Sequence, residues 1–326
     1  MSLKRVLVTG ANGFIGRHLC GRLVESGQEV TACIREEADA SVLTAISGPL
    51  KILRVPSFAA TAHLAPVLSS VDRVVHLAGR AHVMRETVRN PLDEFRKVNV
   101  GGTETLASIA AQQGVKRFIY MSSIKVNGEA TNGHPFLADD PPGYSDPYGQ
   151  SKWEAEERLR QIAAGTAMQW VVVRPPLVYG PGVRGNFLTL LRSVFRRLPL
   201  PLGSLQNRRS LVSVFNLSDF VCLLLDHPAA ANSRFLVSDQ HDISTPDLLR
   251  RMAEALHCPS RVLPCPEVVL HMAGTVLGRR SVTQRLCSSL VVDTQKATDS
   301  LRWSAPTTLS WGLSRTAEWF LAMMTR

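Results

Sequence analysis

Tyr148 and Lys152 stand four residues apart, which sets a phenol and an ammonium one turn apart on the same face of a helix. Two such groups can act on one substrate oxygen. A free phenol titrates near ~10, and a neighbouring cation favours its phenolate, moving it toward a useful acid/base range. Ser123 closes the apolar run at residues 116–121 together with Ser122. At the C-terminal end of a parallel strand, where such sheets place their ligands, its hydroxyl can hydrogen-bond the reacting carbonyl or hydroxyl. Taken singly, a Tyr-x-x-x-Lys spacing arises on any amphipathic helix and a serine often just caps a strand. In this order and combination the three groups describe proton transfer at one substrate oxygen.

A second pattern lies near the N-terminus. Residues 4–9 form a β-branched apolar run, followed by Gly10-Ala11-Asn12-Gly13-Phe14-Ile15-Gly16 and an amphipathic stretch at residues 14–26. Strand, glycine turn and helix make a dinucleotide fingerprint: glycines permit close backbone approach, and the helix N-terminus offers free N–H groups to a pyrophosphate. The second strand, residues 29–34, normally ends in an acid that binds the adenosine ribose of NAD. Ile34 and Arg35 stand there instead. Arg35 can pair with a ribose 2′-phosphate, which tilts the reading from NAD toward NADP, with Arg17 as a second contact. The alternative is that Arg35 opens a solvated loop with Glu36 and Glu37.

The elements that must position these groups alternate. Strand patterns at residues 73–77, 116–121 and 170–174 are separated by helical patterns at 92–113 and 148–163, which predicts an α/β, Rossmann-type doubly wound parallel sheet. Residues 1–174 then form the dinucleotide-binding domain. Residues 175–326 form mainly a smaller substrate lobe, with some segments returning to the first domain, because Pro- and Gly-rich loops at 175–185 and 198–203 break the alternation. Helical patterns at 245–256 and 309–323 belong to this last third.

Composition fits an ordinary enzyme, with 45% hydrophobic and 20% charged residues in 326. The formal net charge is +10, so anions should be attracted. Arginines cluster at 192, 196, 197, 208 and 209 and at 279, 280 and 285, without the interleaved aromatics of a single-strand groove, so nucleic acid is not the expected partner. Six scattered cysteines lack CxxC or zinc spacing and read as reduced thiols of a cytoplasmic protein with no metal. No apolar run approaches the ~18 residues of a membrane span.

Together these residues resemble the extended short-chain dehydrogenases, and the resemblance covers nearly the whole chain. It is carried by Asp72-Arg73-Val74-Val75-His76-Leu77-Ala78-Gly79, by Val98-Asn99-Val100-Gly101-Gly102-Thr103 and by Ser122-Ser123-Ile124-Lys125-Val126-Asn127-Gly128. The second half looks like the nucleotide-sugar epimerase, reductase and dehydratase branch, through Arg174-Pro175-Pro176-Leu177-Val178-Tyr179-Gly180-Pro181-Gly182 and Arg209-Ser210-Leu211-Val212-Ser213-Val214. The resemblance implies that Leu77, Ala78, Gly79, Asn99 and Pro175 join the glycine turn, Tyr148 and Lys152 around the cofactor. It implies that Ser123, His82, Lys125, Asn186 and Arg209 meet a UDP-linked sugar, Arg209 at the diphosphate. Asp293, Lys296, Leu301, Trp303, Pro306 and Gly312 follow the family's closing pattern as packing and cap residues. It also implies a homodimer built as a four-helix bundle from the helices at 92–113 and 148–163.

Departures narrow the reaction. Sugar-nucleotide 4,6-dehydratases carry an Asp-Glu pair directly after the catalytic hydroxyl, where this chain has Ile124 and Lys125. A 4-keto reductase using a dissociable cofactor and a 4-epimerase holding NAD both remain. Arg35 favours the reductase, and the segments around Arg80 to Met84 and Ser123 to Glu129 are similar to enzymes making N-acetylated 6-deoxyhexoses for bacterial surface polysaccharide such as lipopolysaccharide O-antigen. A UDP-4-keto-6-deoxy-N-acetylhexosamine is the expected substrate. A polyprenyl-diphosphate sugar 4-epimerase would use the basic surface to approach an acidic membrane face. A cofactor-sensing regulator without turnover would be expected to lose Tyr148 or Lys152. If Arg35 reads the extra phosphate, Arg35→Ala weakens NADP much more than NAD in a binding titration; equal loss for both returns Arg35 to the surface loop.

Overall fold

The computed structural model describes residues 4–56, 61–81, 90–276 and 280–325. Strands β1 (Arg5–Thr9), β2 (Glu29–Arg35), β3 (Leu50–Val55), β4 (Arg73–His76), β5 (Arg117–Met121) and β6 (Gln169–Arg174) lie in the larger sheet. Strands β7 (Leu177–Tyr179) and β8 (Leu211–Ser213) pair with each other, and β9 (Ser233–Leu236) returns to close the larger sheet. All pairings in the seven-stranded sheet are parallel, in the order β3-β2-β1-β4-β5-β6-β9.

The first half contributes helices α1 (Phe14–Glu25), α2 (Ser41–Thr44), α3 (Thr61–Leu68), α4 (Pro91–Phe95), α5 (Gly102–Gln112) and α6 (Pro147–Ala163). The second half contributes α7 (Gly185–Phe195), α8 (Val214–Leu224), α9 (Thr245–Ala255), α10 (Glu267–Val276), α11 (Arg280–Cys287), α12 (Gln295–Leu301) and α13 (Leu309–Met324). Strand side chains alternate between two buried layers, which is why these strands read as continuous apolar runs. Val6, Val8, Val75, Ile119, Val171 and Val173 pack with α1, α8 and α12, whereas Leu7, Val74, Phe118, Tyr120 and Val172 pack with α3, α5 and α6. A separate apolar cluster from Phe187, Leu191, Leu249, Met252, Leu313 and Phe320 forms the core of the smaller lobe. Among the described residues no helix is long and apolar enough to cross a membrane.

Two features depart from the reading above. The helical stretch expected at 92–113 is interrupted by a π-helical segment, Arg96–Gly101, between α4 and α5. Strands β3 and β9 were not anticipated. β9 reads Ser-Arg-Phe-Leu and earns its place only through the neighbouring β6, to which it bonds in register.

One buried ion pair joins the sheet to α6. Arg174 at the end of β6 is fully buried and forks onto Glu156 of α6, Nε to Oε1 at 2.9 Å and Nη2 to Oε2 at 2.6 Å. The Ser122 hydroxyl donates to the same carboxylate, and Arg174 Nη1 donates to Asn127 Oδ1 at 3.0 Å and to the Ala138 carbonyl at 3.3 Å. Removing one member leaves an uncompensated charge in the core, so Glu156→Gln should cost about 3–5 kcal/mol of stability. Urea unfolding measures it; a loss below about 1 kcal/mol would show that the pair is dispensable.

Candidate active site

The fork fixes both ends of the candidate constellation. Ser122 N donates to the Val173 carbonyl at 2.8 Å and Ile124 N to the Pro175 carbonyl at 3.0 Å, so the turn carrying Ser123 is strapped to the exit of β6. Ser123 Oγ accepts from Lys125 N at 3.3 Å and caps a short 3-10 turn, Ile124–Val126. On the other side Asp146 caps α6, accepting from Gly149 N at 2.7 Å, with Pro147 as the first helical residue, where its missing N–H costs nothing. Tyr148 therefore lies in the first turn of α6, its ring 5.8 Å from that of Phe95.

Lys125 has protein partners of its own. Its ammonium is ion-paired to Asp146 and, at 2.7 Å, to Glu129 Oε1. Burial alone would lower its pKa, but these two carboxylates outweigh burial and raise it. Lys125 thus tethers the Ser123 turn to the cap of α6. Asp146, which the sequence reading passed over, was detectable as an Asp-Pro pair at a helix start.

Lys152 is buried, its Nζ 4.3 Å from the centre of the Tyr120 ring. Burial lowers its pKa to about 7, against a weaker opposing pull from Glu156. Burial likewise pushes the Tyr148 phenol up to about 12, against a hydrogen bond with Ser123 that favours the phenolate. The lowering expected from a cation together with a bound nicotinamide ring is a property of the loaded site; in the protein alone desolvation outweighs the Ser123 hydrogen bond.

The glycine turn and the exit of β4 fit a dinucleotide. Gly13 is the N-cap of α1 with no side-chain hydrogen bond across the helix start, leaving its first N–H groups for a diphosphate. A Cβ on Gly16 would lie 2.3 Å from the Gly10 carbonyl, so only glycine lets α1 begin this close to β1. Thr9 and His76, at the exits of β1 and β4, are joined by a 2.7 Å hydrogen bond, at the switch point where an open parallel sheet places its ligand. Leu77 and Ile15 pack against the core there. A Cβ on Gly79 would stand 3.8 Å from Lys152 Nζ and 3.0 Å from Asn99 Oδ1, so its absence opens a cradle beside the ammonium.

Asn99, buried within the π-helical segment, holds that cradle. Its Oδ1 accepts from Arg80 N at 2.7 Å, and its Nδ2 donates to Ser151 Oγ at 2.9 Å, which in turn donates to the Tyr148 carbonyl at 2.8 Å. A π-bulge at such a position re-aims a side chain without ending the helix. Asn12 Nδ2 donates to the Asp39 carbonyl at 3.2 Å and braces the loop after β2, while Ala78 N donates to Thr9 Oγ1 at 3.3 Å. Phe14 packs against the core of the smaller lobe.

Arg35 is exposed at the end of β2, directly after the buried Ile34. Arg17 does not point to the same site; its Nη2 donates to the Pro181 carbonyl at 2.6 Å and, with His18, ties α1 to the substrate-side loop. Asn186 is exposed in the first turn of α7. Arg209 is partly buried, with Nη1 donating to the carbonyls of Arg285 at 2.7 Å and Ser288 at 3.0 Å, so part of its donor set already secures the chain around α11. His82 lies outside the described residues.

A doubly wound parallel sheet with a glycine cradle at the switch point and a Ser-Tyr-Lys set beside it defines a dinucleotide-dependent oxidoreductase of the short-chain type. The chain belongs to the NAD dependent epimerase/dehydratase family, whose model matches residues 6–237. It is 42% identical over 321 residues to a UDP-glucose 4-epimerase of Vibrio cholerae, covering 98% of this chain and 96% of that one. It is 30% identical over 266 residues to an N-acetyl-α-D-glucosaminyl-diphospho-ditrans,octacis-undecaprenol 4-epimerase of Escherichia coli O157:H7, covering 77% and 78%. Among solved structures, MoeE5 in complex with UDP-glucose and NAD superposes with a TM-score of 0.78 at 25% identity, over 98% of this chain and 99% of that one.

Two results test the site. Tyr148→Phe should lower turnover about 100-fold or more while cofactor still binds; unchanged turnover would remove the phenol from the chemistry. Lys152 should titrate near pH 7 in the cofactor-free protein, followed by NMR of labelled lysine. The native state then releases this proton near pH 7, whereas the unfolded chain holds it to about 10.4. Stability conferred by this group therefore rises with pH across that window, and Lys152→Met should flatten the rise. A midpoint near 10 would contradict it.

Proposed function

We propose that the chain transfers a hydride at C4 of a nucleotide-linked sugar, in the reductive direction, on a UDP-4-keto-6-deoxy-N-acetylhexosamine of bacterial surface polysaccharide biosynthesis. The observation that carries the direction is the end of β2, where a buried Ile34 and an exposed Arg35 replace a ribose-binding carboxylate. Such an end suits a dissociable NADPH better than a permanently held NAD. Ile124 and Lys125 after Ser123, the latter ion-paired, leave no acid/base carboxylate pair for dehydration.

In this reading a bound nicotinamide supplies the hydride. Tyr148 gives its proton to the C4 oxygen as the hydride arrives, Ser123 hydrogen-bonds that oxygen, and Lys152 holds the cofactor ribose and favours the phenolate left behind. Arg209 and Asn186 hold the sugar-nucleotide from the smaller lobe. Two copies associate through the stretches at residues 92–113 and 148–163 as a four-helix bundle, and Val98 of the π-helical segment in the first is exposed.

A second reading is a 4-epimerase acting on a UDP-sugar or a polyprenyl-diphosphate sugar, favoured by the names of the Vibrio cholerae and Escherichia coli relatives. One experiment separates them: purified protein, stripped of cofactor, is mixed with NADPH or NADH and the keto-sugar, and absorbance at the nicotinamide band is followed. Stoichiometric NADPH oxidation supports the reductase. Tightly held NAD and interconversion of sugars without net oxidation would overturn it in favour of the epimerase.

A further inference from the structure

The positive charge of this protein is not spread over it. Residues 180–218 contain six arginines and no carboxylate, and residues 257–287 contain four arginines against Glu267 alone. These two segments hold nine of the ten net charges, so the rest of the chain, dinucleotide-binding domain included, is close to neutral. The two segments are also neighbours in space. Leu200 N donates to the Arg261 carbonyl and Leu263 N to the Leu200 carbonyl, joining the loop after α7 to the strand-like stretch that leads into α10.

The same surface is unusually apolar. Helix α10 buries Leu270 in the lobe core but exposes Val268 (69%), Val269 (51%), Met272 (64%) and Val276 (85%). Spaced i, i+1, i+4 and i+8, these form one stripe along the helix. Leu198 and Leu263 extend it at the joined loops, and Arg196, Arg197 and Arg261 are exposed beside them. Six of the eleven large apolar side chains most exposed in the described chain therefore lie on these two basic segments. Apolar side chains rimmed by arginine, on a helix face left exposed among the described residues, match an anionic phospholipid surface: headgroups neutralise the arginines while the stripe enters the acyl boundary.

We propose that α10 and the loops at residues 196–203 and 261–264 form a docking surface for an anionic bilayer, which would hold the substrate lobe against the membrane. The inference does not depend on whether the enzyme is a reductase or an epimerase.

Vesicle flotation of the full chain tests it, using vesicles of phosphatidylcholine alone and of phosphatidylcholine mixed equally with phosphatidylglycerol. The expected result is flotation with the anionic vesicles, none with the neutral ones, and release in high salt. The double variant V268D/M272D should lower partitioning at least about tenfold, as should R196E/R197E, while both still bind dinucleotide cofactor, which reports that they are folded. Absence of flotation with anionic vesicles overturns the proposal. So does flotation unchanged in V268D/M272D, which would trace it to charge elsewhere, or self-association by light scattering that this variant abolishes without any vesicle binding.

Discussion

The bidentate contact between Arg174 and Glu156 is the constraint on which the candidate site depends. It is a charged pair placed where water does not reach, and Ser122, Asn127 and the Ala138 carbonyl add hydrogen bonds to its carboxylate and guanidinium. By holding the end of β6, the middle of α6 and the exit of β5 together, it sets the distance between the turn bearing Ser123 and the helix bearing Tyr148 and Lys152. These three candidate groups sit on backbone fixed by buried electrostatics.

Smaller devices complete that arrangement. Lys125 bonds from the Ser123 turn to the cap of α6, so the serine and the tyrosine are linked by an ion pair as well as through the sheet. Asn99 ties the exit of β4 to α6 by way of Ser151. Arg17 and His18 hold the Pro181 carbonyl, connecting the cofactor helix to the loop that leads into the smaller lobe. Lys152 is buried with its ammonium over the Tyr120 ring, and burial lowers its pKa to about 7.

Much of this was legible in the sequence because its signals are local. A strand, a glycine turn and a helix occupy consecutive residues, and Tyr148 and Lys152 share one helix, so periodicity alone places them. The strands β1, β2, β4, β5 and β6 were readable as apolar runs for the same reason, each being buried on both faces. What could not be read is set by distant partners. β9 is a strand only because β6 offers an open edge, and the π-helical segment exists where Asn99 must reach both Arg80 and Ser151. The ion pair of Lys125 with Asp146, twenty-one positions later, is likewise invisible to a local pattern. The Tyr120 ring that the Lys152 ammonium faces comes from β5, a contact between distant residues that no local pattern announces.

The central claim is that this cleft moves a hydride between a nicotinamide and C4 of a sugar, whichever direction dominates. It is tested most directly by a single turnover with protein loaded with C4-deuterated NADPH and a 4-keto-sugar nucleotide, followed by mass spectrometry and NMR of the product. The account predicts one deuterium, located at C4. Product without deuterium, or with deuterium at another carbon, would contradict it.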